Sequence, residues 1–362
     1  MLKVVLIGCF IGLISCKSIA KSPTFFINGY SDNYTPSVPV VDFFGSWKGA
    51  KKYHEAERAY ANEFIQVGVK FNDFSIAAFY RYDYNLKMHA DVGEYRYTFH
   101  NNRDQLADKD YIYDFYEQRL STTGIRGGYQ FAINSYLTSQ VYVNVFSSKK
   151  YQQRDISDGY INGHTKLGDA KANYFFSEDT LYQFLEVDNS PTGYGASVDI
   201  ELLYKREGYQ LALSVLDLGH FVHWQESPFA IGEFNVNHFI YDQNQVRSQQ
   251  PLANLQTHEG DIDKEFTMHL PLRAKVSFQK ELSEFYSVGI QYNYNEIFNS
   301  TQVSLSYSAT DKLNVSGSYN FNSKGLGLKA RYRQYYIEMI TDNVKLDYAN
   351  NLSLFTGMEI RF

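Results

Sequence analysis

Apolar and polar positions alternate with a period of two through most of the chain. In one clear example, Leu326, Leu328 and Ala330 alternate with Lys329 and Arg331. Because successive side chains of a strand point to opposite faces, this pattern predicts strands with one apolar and one polar face. The alternating segments are separated by polar breaks and continue to the end of the chain.

A soluble β-sandwich also alternates, but two features favour a barrel in a membrane. The polar faces are rich in Ser, Asn, Gln and full charges, which suits a water-filled lumen. The segments are about ten residues long, which is what a tilted strand needs to cross a bilayer. We therefore predict an all-β fold, a transmembrane antiparallel β-barrel of about 14 strands, with roughly 12 to 16 as the range.

Composition narrows the class further. Aromatic residues make up 17% of the 362 residues, with 32 Tyr, which argues against a disordered chain and suits aromatic girdles at membrane interfaces. Mean hydropathy is −0.39, and after the first twenty residues no run is long and apolar enough for a spanning helix. A helical transporter is excluded. The net charge of −6 argues against a nucleic-acid partner.

The first twenty residues predict an export signal. Lys3 precedes the apolar stretch Val4–Cys16, and Ser18 and Ala20 are the small residues that a signal peptidase reads. Two processing routes remain open, cleavage after Ala20 and lipidation of Cys16 within a lipobox-like run. Cleavage after Ala20 removes both cysteines of the chain, which leaves no disulfide or thiol chemistry.

We divide the chain into three parts. Residues 1–20 form the signal peptide and residues 62–362 the barrel. Residues 21–61 lack clear alternation at their end, which indicates a periplasmic tail or a plug in the lumen. The long polar stretch 226–265 is interpreted either as a lid folded into the lumen or as an external loop.

Charged residues on the predicted polar faces are the candidate lumen residues, since a charge on the lipid face costs about 2–4 kcal/mol at mid-bilayer. Among them, Lys329, Arg331 and Arg333 predict a basic ladder along one wall. An open pore with this ladder favours anions, whereas a narrow barrel pairs the same residues with acids. The full set is Arg81, Asp83, Asp199, Glu201, Lys205, Arg273, Lys275, Lys329, Arg331, Arg333, Glu359 and Arg361.

The end of the chain resembles Gram-negative outer-membrane β-barrel proteins. Leu354, Met358, Ile360 and the terminal Phe362 stand at alternate positions, similar to the insertion signal read by the barrel-assembly machinery. The resemblance implies that machinery and outer-membrane lipid as partners, and the cell outer membrane as the location.

A shorter resemblance lies in the middle of the chain. Gly193-Tyr194-Gly195, Asp199, Leu216-Asp217-Leu218-Gly219 and Trp224 are similar to a theme in the long-chain fatty-acid transporter superfamily and its uncharacterised relatives. That resemblance implies an uptake barrel. The hatch motif of the transporter has no match in residues 21–61, and no substrate-binding residue is carried over.

Motifs of catalysis are missing from the sequence. It contains no Ser-centred nucleophile elbow, Walker loop or dinucleotide fingerprint. His220 and His223 are three apart, which places them on opposite faces of a strand and disfavours a shared metal. We expect no enzyme, no cofactor and no metal site. The predicted function is admission or binding of a small solute, porin-like or transporter-like, and the alternative is a non-transporting structural or interaction barrel at the cell surface.

Overall fold

The computed structural model describes residues 23–45, 47–50, 52–165, 167–178, 191–238 and 252–361. The predicted signal peptide and Phe362 lie outside these residues. The strands of the N-terminal half are β1 Thr24–Tyr34, β2 Arg58–Phe71, β3 Phe74–Met88, β4 Asp110–Ile112, β5 Phe115–Ala132, β6 Leu137–Asn162, β7 Gly168–Phe176 and β8 Gly193–Arg206. The remaining strands are β9 Tyr209–His238, β10 Leu252–Met268, β11 Arg273–Glu281, β12 Tyr286–Asn295, β13 Ser300–Thr310, β14 Leu313–Asn320, β15 Gly325–Tyr332, β16 Tyr335–Thr341 and β17 Asn351–Arg361.

Fourteen of these strands close into one antiparallel ring. Following the pairings, β1 joins β2, β3, β5, β6, β8, β9 and β11 in turn. From β11 the ring continues through β12 to β17, and β17 returns to β1 over eleven residue pairs, from Thr24–Arg361 to Tyr34–Asn351. The predicted all-β barrel and its strand number are confirmed.

The two ends of the barrel differ in the length of their connections. At the end where both termini of the barrel lie, the connections are tight turns such as Asn72-Asp73, Glu207-Gly208 and Asp311-Lys312. The opposite end carries the long connections 35–57 and 89–114. Outer-membrane barrels have short periplasmic turns and long external loops, so we call the two ends periplasmic and external.

The outer wall is an apolar belt. Side chains that are 40–64% exposed on this face include Ile65, Ile76, Tyr80, Ile125, Val143, Val145, Val276, Phe278, Ile290, Leu305, Leu328, Ile337 and Leu354. They alternate with polar residues that face the lumen, which is the arrangement that lipid outside and water inside require. The barrel is of the outer-membrane type.

Three further strands extend the wall beyond the ring at the external end. β6 and β9 have 26 and 30 residues, much longer than the other strands of the ring. Their outer parts pair with β7, while β4 adds to β6 and β10 adds to β9. β9 therefore pairs with β11 in its lower part and with β10 in its upper part.

The connections 35–57 and 89–114 pack against the outside of this wall. They contain helices α1 Val40–Phe43 and α2 Ala90–Asn101. Trp47 is buried against Tyr84 and Leu86, which lie on the outward face of β3. No helix in the described ranges is long and apolar enough to cross a membrane.

A carboxylate ties α2 to the next strand. Partial burial works against ionisation of Asp91, but its hydrogen bonds from the Ile112 backbone N–H at 3.0 Å and from Lys109 at 3.1 Å lower the pKa of Asp91. The contact joins the first turn of α2 to β4 and orders the external layer.

Two expectations about the organisation differ from the structure. Residues 24–34, assigned by sequence to a tail or plug, form β1, and the segment that follows covers the outside of the wall and not the lumen. Residues 226–238 and 252–265, expected to be a lid or loop, belong to the long hairpin of β9 and β10, while 239–251 lie outside the described residues. In both places, pairing to a neighbouring strand outweighs weak alternation.

Deleting residues 24–34 should abolish the folded barrel, because β17 and β2 would each lose their hydrogen-bonded neighbour and expose unpaired backbone to lipid. The measurement is heat-modifiable migration on SDS gels after refolding into detergent. As a control, replacing residues 36–56 with a short Gly/Ser linker should keep the compact band, since β1 and β2 remain adjacent. A compact band from the first deletion would contradict the role of β1 as a barrel strand.

Candidate functional site: the barrel lumen

Six charged side chains meet inside the barrel at mid-height. Arg81 and Asp83 come from β3, Arg126 from β5, Asp199 from β8, Asp217 from β9 and Arg273 from β11. We call them the ionic cluster, and they comprise three cations and three carboxylates. Arg81 and the three carboxylates are at most 8% exposed. The charge balance matters because an unpaired charge buried at this depth is costly.

Arg81 and Asp217 hold the cluster together. The Arg81 guanidinium donates both Nη atoms to the Asp217 carboxylate, with Nη2–Oδ2 at 3.0 Å, and also donates to Asp83 Oδ1 at 2.9 Å. Arg273 donates Nε and Nη2 to the same Asp217 oxygen at 2.9 and 2.8 Å. Two-pronged pairs of this kind are the strongest ion pairs that side chains form.

Asp199 connects the other half of the cluster. One of its oxygens accepts from Arg126 at 3.1 Å and from Asn144 at 2.9 Å. The other oxygen accepts the backbone N–H of Asp217 at 2.9 Å. Asp217 has a φ of +65° and Gly219 a φ of +61°, so β9 bulges here. The bulge turns the Asp217 side chain inward, next to the inward Leu216, and Asp199 satisfies the N–H that the bulge frees.

The cluster reaches across the lumen. β11 is the seventh strand on from β1 around the fourteen-strand ring, so the two strands stand on opposite walls. Arg273 of β11 nevertheless donates Nη1 to the Tyr30 hydroxyl of β1 at 3.2 Å. The chain of contacts Arg81–Asp217–Arg273–Tyr30 therefore divides the lumen into two halves at this height.

One half is filled by apolar side chains. Trp224 is fully buried, with its ring 4.1 Å from that of Tyr151 and 5.6 Å from that of Phe266. We call this group the apolar lumen cluster, whose buried members are Phe79, Leu120, Phe146, Tyr151, Val222, Trp224, Phe266, Met268 and Leu270. Its packing is that of a protein interior and leaves this half closed.

A small cavity remains where the apolar lumen cluster meets the ionic cluster. Its volume is about 50 Å³, and Phe79, Phe146, Arg126 and Asp217 are among the residues around it. A cavity of roughly 150 Å³ is known to hold benzene, and a water molecule occupies about 30 Å³ in the liquid. The cavity therefore has room for water and not for a benzene-sized molecule.

The other half is lined by small polar side chains of β12 to β15. We call it the serine-lined wall, and its inward residues include Gly289, Ser304, Ser306, Ser308, Asn314, Ser316, Ser318 and Gly327. Ser306 and Ser316 share a hydrogen bond of 2.8 Å, and Asn314 donates to Ser308 at 3.1 Å. These serines are partly exposed although they face inward, so water reaches them from the lumen.

The external end of the serine-lined wall is covered by the turn between β12 and β13. This turn, residues 296–299, folds over the mouth to the opposite wall. The Phe298 ring stacks on Tyr34 of β1 with centroids 3.9 Å apart and lies 6.3 Å from the ring of Tyr60 on β2. Ile297 beside it is 4% exposed. We call residues 296–299 the mouth turn.

Two cations of the opposite wall hold the mouth turn. Lys87 Nζ lies 2.6 Å from the Glu296 carboxylate, and both side chains are about half exposed. Arg58 donates Nη1 to the carbonyl oxygens of Glu296 and Ile297 at 3.4 and 3.5 Å. Contacts this long or this exposed are weak. They hold the mouth turn in place but can be broken at little energetic cost.

The structure places most of the sequence-predicted lumen residues on inward faces. Arg81, Asp83, Asp199 and Arg273 meet in the ionic cluster. Below it, Glu201, Lys275 and Lys329 face the lumen, and Lys329 pairs with Glu338 at 3.1 Å. Residues placed toward the exposed periplasmic end are Lys205, Arg331, Glu359 and Arg361. Of the predicted assembly signal, Leu354, Met358 and Ile360 face outward, and Phe362 lies outside the described residues.

The predicted basic ladder does not form. Arg333 has a φ of +53° and lies in the turn between β15 and β16, with its guanidinium over the ring of Tyr332. Arg331 lies over Tyr336, and Lys329 is neutralised by Glu338. The alternation of the sequence continues through the turn, and for this reason it wrongly predicts that Arg333 is part of the wall.

Sequence reasoning missed two members of the ionic cluster as candidate lumen charges, Arg126 and Asp217. Arg126 lies in the glycine-rich run Gly124-Ile125-Arg126-Gly127-Gly128, where alternation is hard to see. Asp217 belongs to the motif that carries the mid-chain resemblance, and its bulge breaks the period. The glycines of that motif have a packing reason, because a Cβ at Gly193 would overlap the Trp224 ring and one at Gly195 the Phe221 carbonyl oxygen.

The histidines and acids of the described residues do not converge on a metal site. Within the described ranges, no group of three or more His, Cys, Asp or Glu side chains is placed to hold a metal ion. His220 is buried facing inward, stacked on Phe146, while His223 contacts Thr267 on the other face.

Comparison with known proteins gives likeness in solved structures alone. No protein-family model and no curated protein matches the chain. The toluene transporter TbuX of Ralstonia pickettii is 7% identical, with a TM-score of 0.48 over 95% of this chain and 90% of that chain. The Pseudomonas putida toluene transporter TodX is 9% identical, with a TM-score of 0.43 over 94% and 88%. A Pseudomonas aeruginosa FadL homologue is 10% identical, with a TM-score of 0.39 over 94% and 90%.

Replacing Arg81 with Leu should destabilise the barrel by about 3–5 kcal/mol, because Asp83 and Asp217 would keep buried charges with a main partner lost. The measurement is the free energy of unfolding in urea from lipid vesicles. Arg333→Leu is the matched control and should change it by less than about 1 kcal/mol, since Arg333 is exposed in a turn. Equal effects of the two substitutions would contradict the closed ionic cluster.

Replacing Gly195 with Val should lower stability without changing any charge, because the side chain would enter the space of the Phe221 carbonyl and the Phe146 ring. A cost of about 1–3 kcal/mol is expected for such overpacking. Gly317→Val on β14, where the structure leaves open space around the glycine, is the matched control. The same urea titration checks both, and a neutral Gly195→Val would contradict the close approach.

Proposed function

We propose that this barrel admits a small polar solute across the outer membrane, through the half of its lumen that the serine-lined wall borders. The observation that carries the proposal is the division of the lumen. One half is filled by the ionic and apolar lumen clusters, while the other is lined by small hydroxyl and amide groups that water reaches. Such a lining exchanges hydrogen bonds with a hydrated solute and offers an apolar one little contact.

The mouth turn is the gate in this proposal. Its four residues cover the external end of the serine-lined wall and rest on Tyr34 and Tyr60. Lys87 and Arg58 hold it by contacts that water can replace. Passage therefore requires movement of one short turn, while the ring of fourteen strands and the ionic cluster stay in place.

The protein in this proposal is a transporter-like barrel of the cell outer membrane, delivered there by residues 1–20 and the barrel-assembly machinery, and it is not an enzyme. The alternative is a structural or interaction barrel that passes no solute. The closed mouth and the folded external layer of residues 35–57 and 89–114 favour that alternative. The two proposals differ in what happens when the mouth turn is loosened.

Phe298→Ala should raise the permeability of the barrel, because the turn would lose its stacking on Tyr34 and Tyr60. The measurement is the swelling rate of liposomes in arabinose, together with conductance in planar bilayers. Phe321→Ala, an exposed aromatic in the β14–β15 turn at the same end, is the matched control and should leave both unchanged. If Phe298→Ala passes no more arabinose than the wild type, the non-transporting alternative is favoured.

The route itself has a separate test. In the Phe298→Ala background, Ser304→Trp should reduce arabinose swelling again, because the indole would fill the water-lined half. Leu305→Trp, on the lipid face of the same strand, is the control and should have no effect. Unchanged flux in Ser304→Trp would contradict a path along the serine-lined wall, even if Phe298→Ala opened the mouth.

A further inference from the structure

A groove on the outer wall lies at the periplasmic rim, away from the lumen. It has a volume of about 340 Å³ and is formed by β8, β9, β11 and the turn that joins β8 to β9. Tyr209, Leu211 and Phe278 on its surface are 40–45% exposed. The lining residues are Tyr204, Arg206, Glu207, Tyr209, Leu211 and Phe278.

Strand pairing arranges the residues of this groove in rows. Leu211 pairs with Tyr204 on one side and with Phe278 on the other, which makes an apolar row across three strands. Two residues nearer the rim, Tyr209 pairs with Arg206 and with Lys280. The second row is therefore a tyrosine between two cations.

The two cations lie on the outer face of the wall, where a ligand in the membrane can reach them. Lys280 Nζ lies 5.3 Å from the centroid of the Tyr209 ring, and the Arg206 guanidinium lies 5.2 Å from that of Tyr136. Among the described residues, Arg206 forms an ion pair with its neighbour Glu207 at 3.2 Å, and both side chains are more than half exposed. An exposed pair between adjacent residues contributes little and is easily exchanged.

A carboxylate forms the last layer at the rim, because Glu207 stands in the tight turn after Arg206 and lines the groove. From the bilayer core toward the periplasm, the wall thus presents an apolar row, then two cations, then a carboxylate. Acyl chain, phosphate and ammonium follow each other in this order in an aminophospholipid.

We propose that this groove binds one aminophospholipid molecule of the periplasmic leaflet. An acyl chain lies along Leu211 and Phe278, the phosphate is held between Arg206 and Lys280, and the ammonium is held by Glu207. The cations alone would accept any phospholipid, since all carry the phosphate. The Glu207 carboxylate discriminates, because it attracts a primary ammonium, which donates hydrogen bonds, and repels a lipid with net negative charge.

The test is native mass spectrometry of the full-length protein, released from micelles containing equal amounts of phosphatidylethanolamine, phosphatidylglycerol and phosphatidylcholine. The expected result is one retained phosphatidylethanolamine per barrel. Arg206→Gln combined with Lys280→Gln should lower its retention roughly tenfold, as the loss of one or two charge-assisted contacts implies. Arg333→Gln combined with Lys312→Gln, two cations in other periplasmic turns, should leave retention unchanged.

A further substitution tests the selectivity. Glu207→Gln should keep phosphate binding and remove the preference for phosphatidylethanolamine over phosphatidylglycerol. Heat-modifiable migration verifies that each variant is folded. The proposal is overturned if no lipid is retained, if the three lipids are retained equally by the wild type, or if the control pair loses the lipid to the same extent. None of these readouts depends on solute passage.

Discussion

The requirement that every backbone N–H and C=O in lipid has a partner governs this structure. A sheet can meet it inside a bilayer only by closing, so each strand needs two neighbours. The first alternating strand that the sequence shows clearly begins near residue 62, and a barrel starting there would leave β17 without its second neighbour. The eleven residues of β1, which read as a tail, supply that neighbour by pairing with both β17 and β2.

A second constraint acts on the lumen, because charges buried there must be balanced by opposite charges. Six ionisable side chains at mid-height are tolerated because their charges cancel and their hydrogen bonds converge on Asp217 and Asp199. The bulge at Asp217 is part of this solution, since it brings a carboxylate between two arginines and gives its own N–H to Asp199. The cluster reaches from β3 to β11 and on to Tyr30 of β1, so a filled half and a water-lined half share one barrel.

The sequence predicts the strands of the barrel wall better than it predicts the contacts between side chains inside the lumen. Period-two alternation depends only on which side of a strand meets lipid, so the fold class and strand number follow from it, as do the inward positions of Arg81, Asp83, Asp199 and Arg273. Partners across the lumen depend on closure and on bulges, which no local pattern encodes. Three residues therefore carry no recognisable signal, namely Arg126 in a glycine-rich run, Asp217 in a bulge and Phe298 in a four-residue turn. Arg333 gives a misleading signal.

The lumen is divided into a filled half and a water-lined half by side chains, and not by the number of strands in the ring. The width of the water-lined half can therefore change while the fourteen-strand ring stays the same. In a barrel with an empty lumen, the width of the lumen changes only when strands are added or lost, which is a large evolutionary step. Here, single substitutions at Ser304, Ser316 or their neighbours would change the width of the water-lined half while leaving the ring of strands intact. Substitutions at these positions would therefore change the lining of the lumen without changing the strands that insert into the membrane.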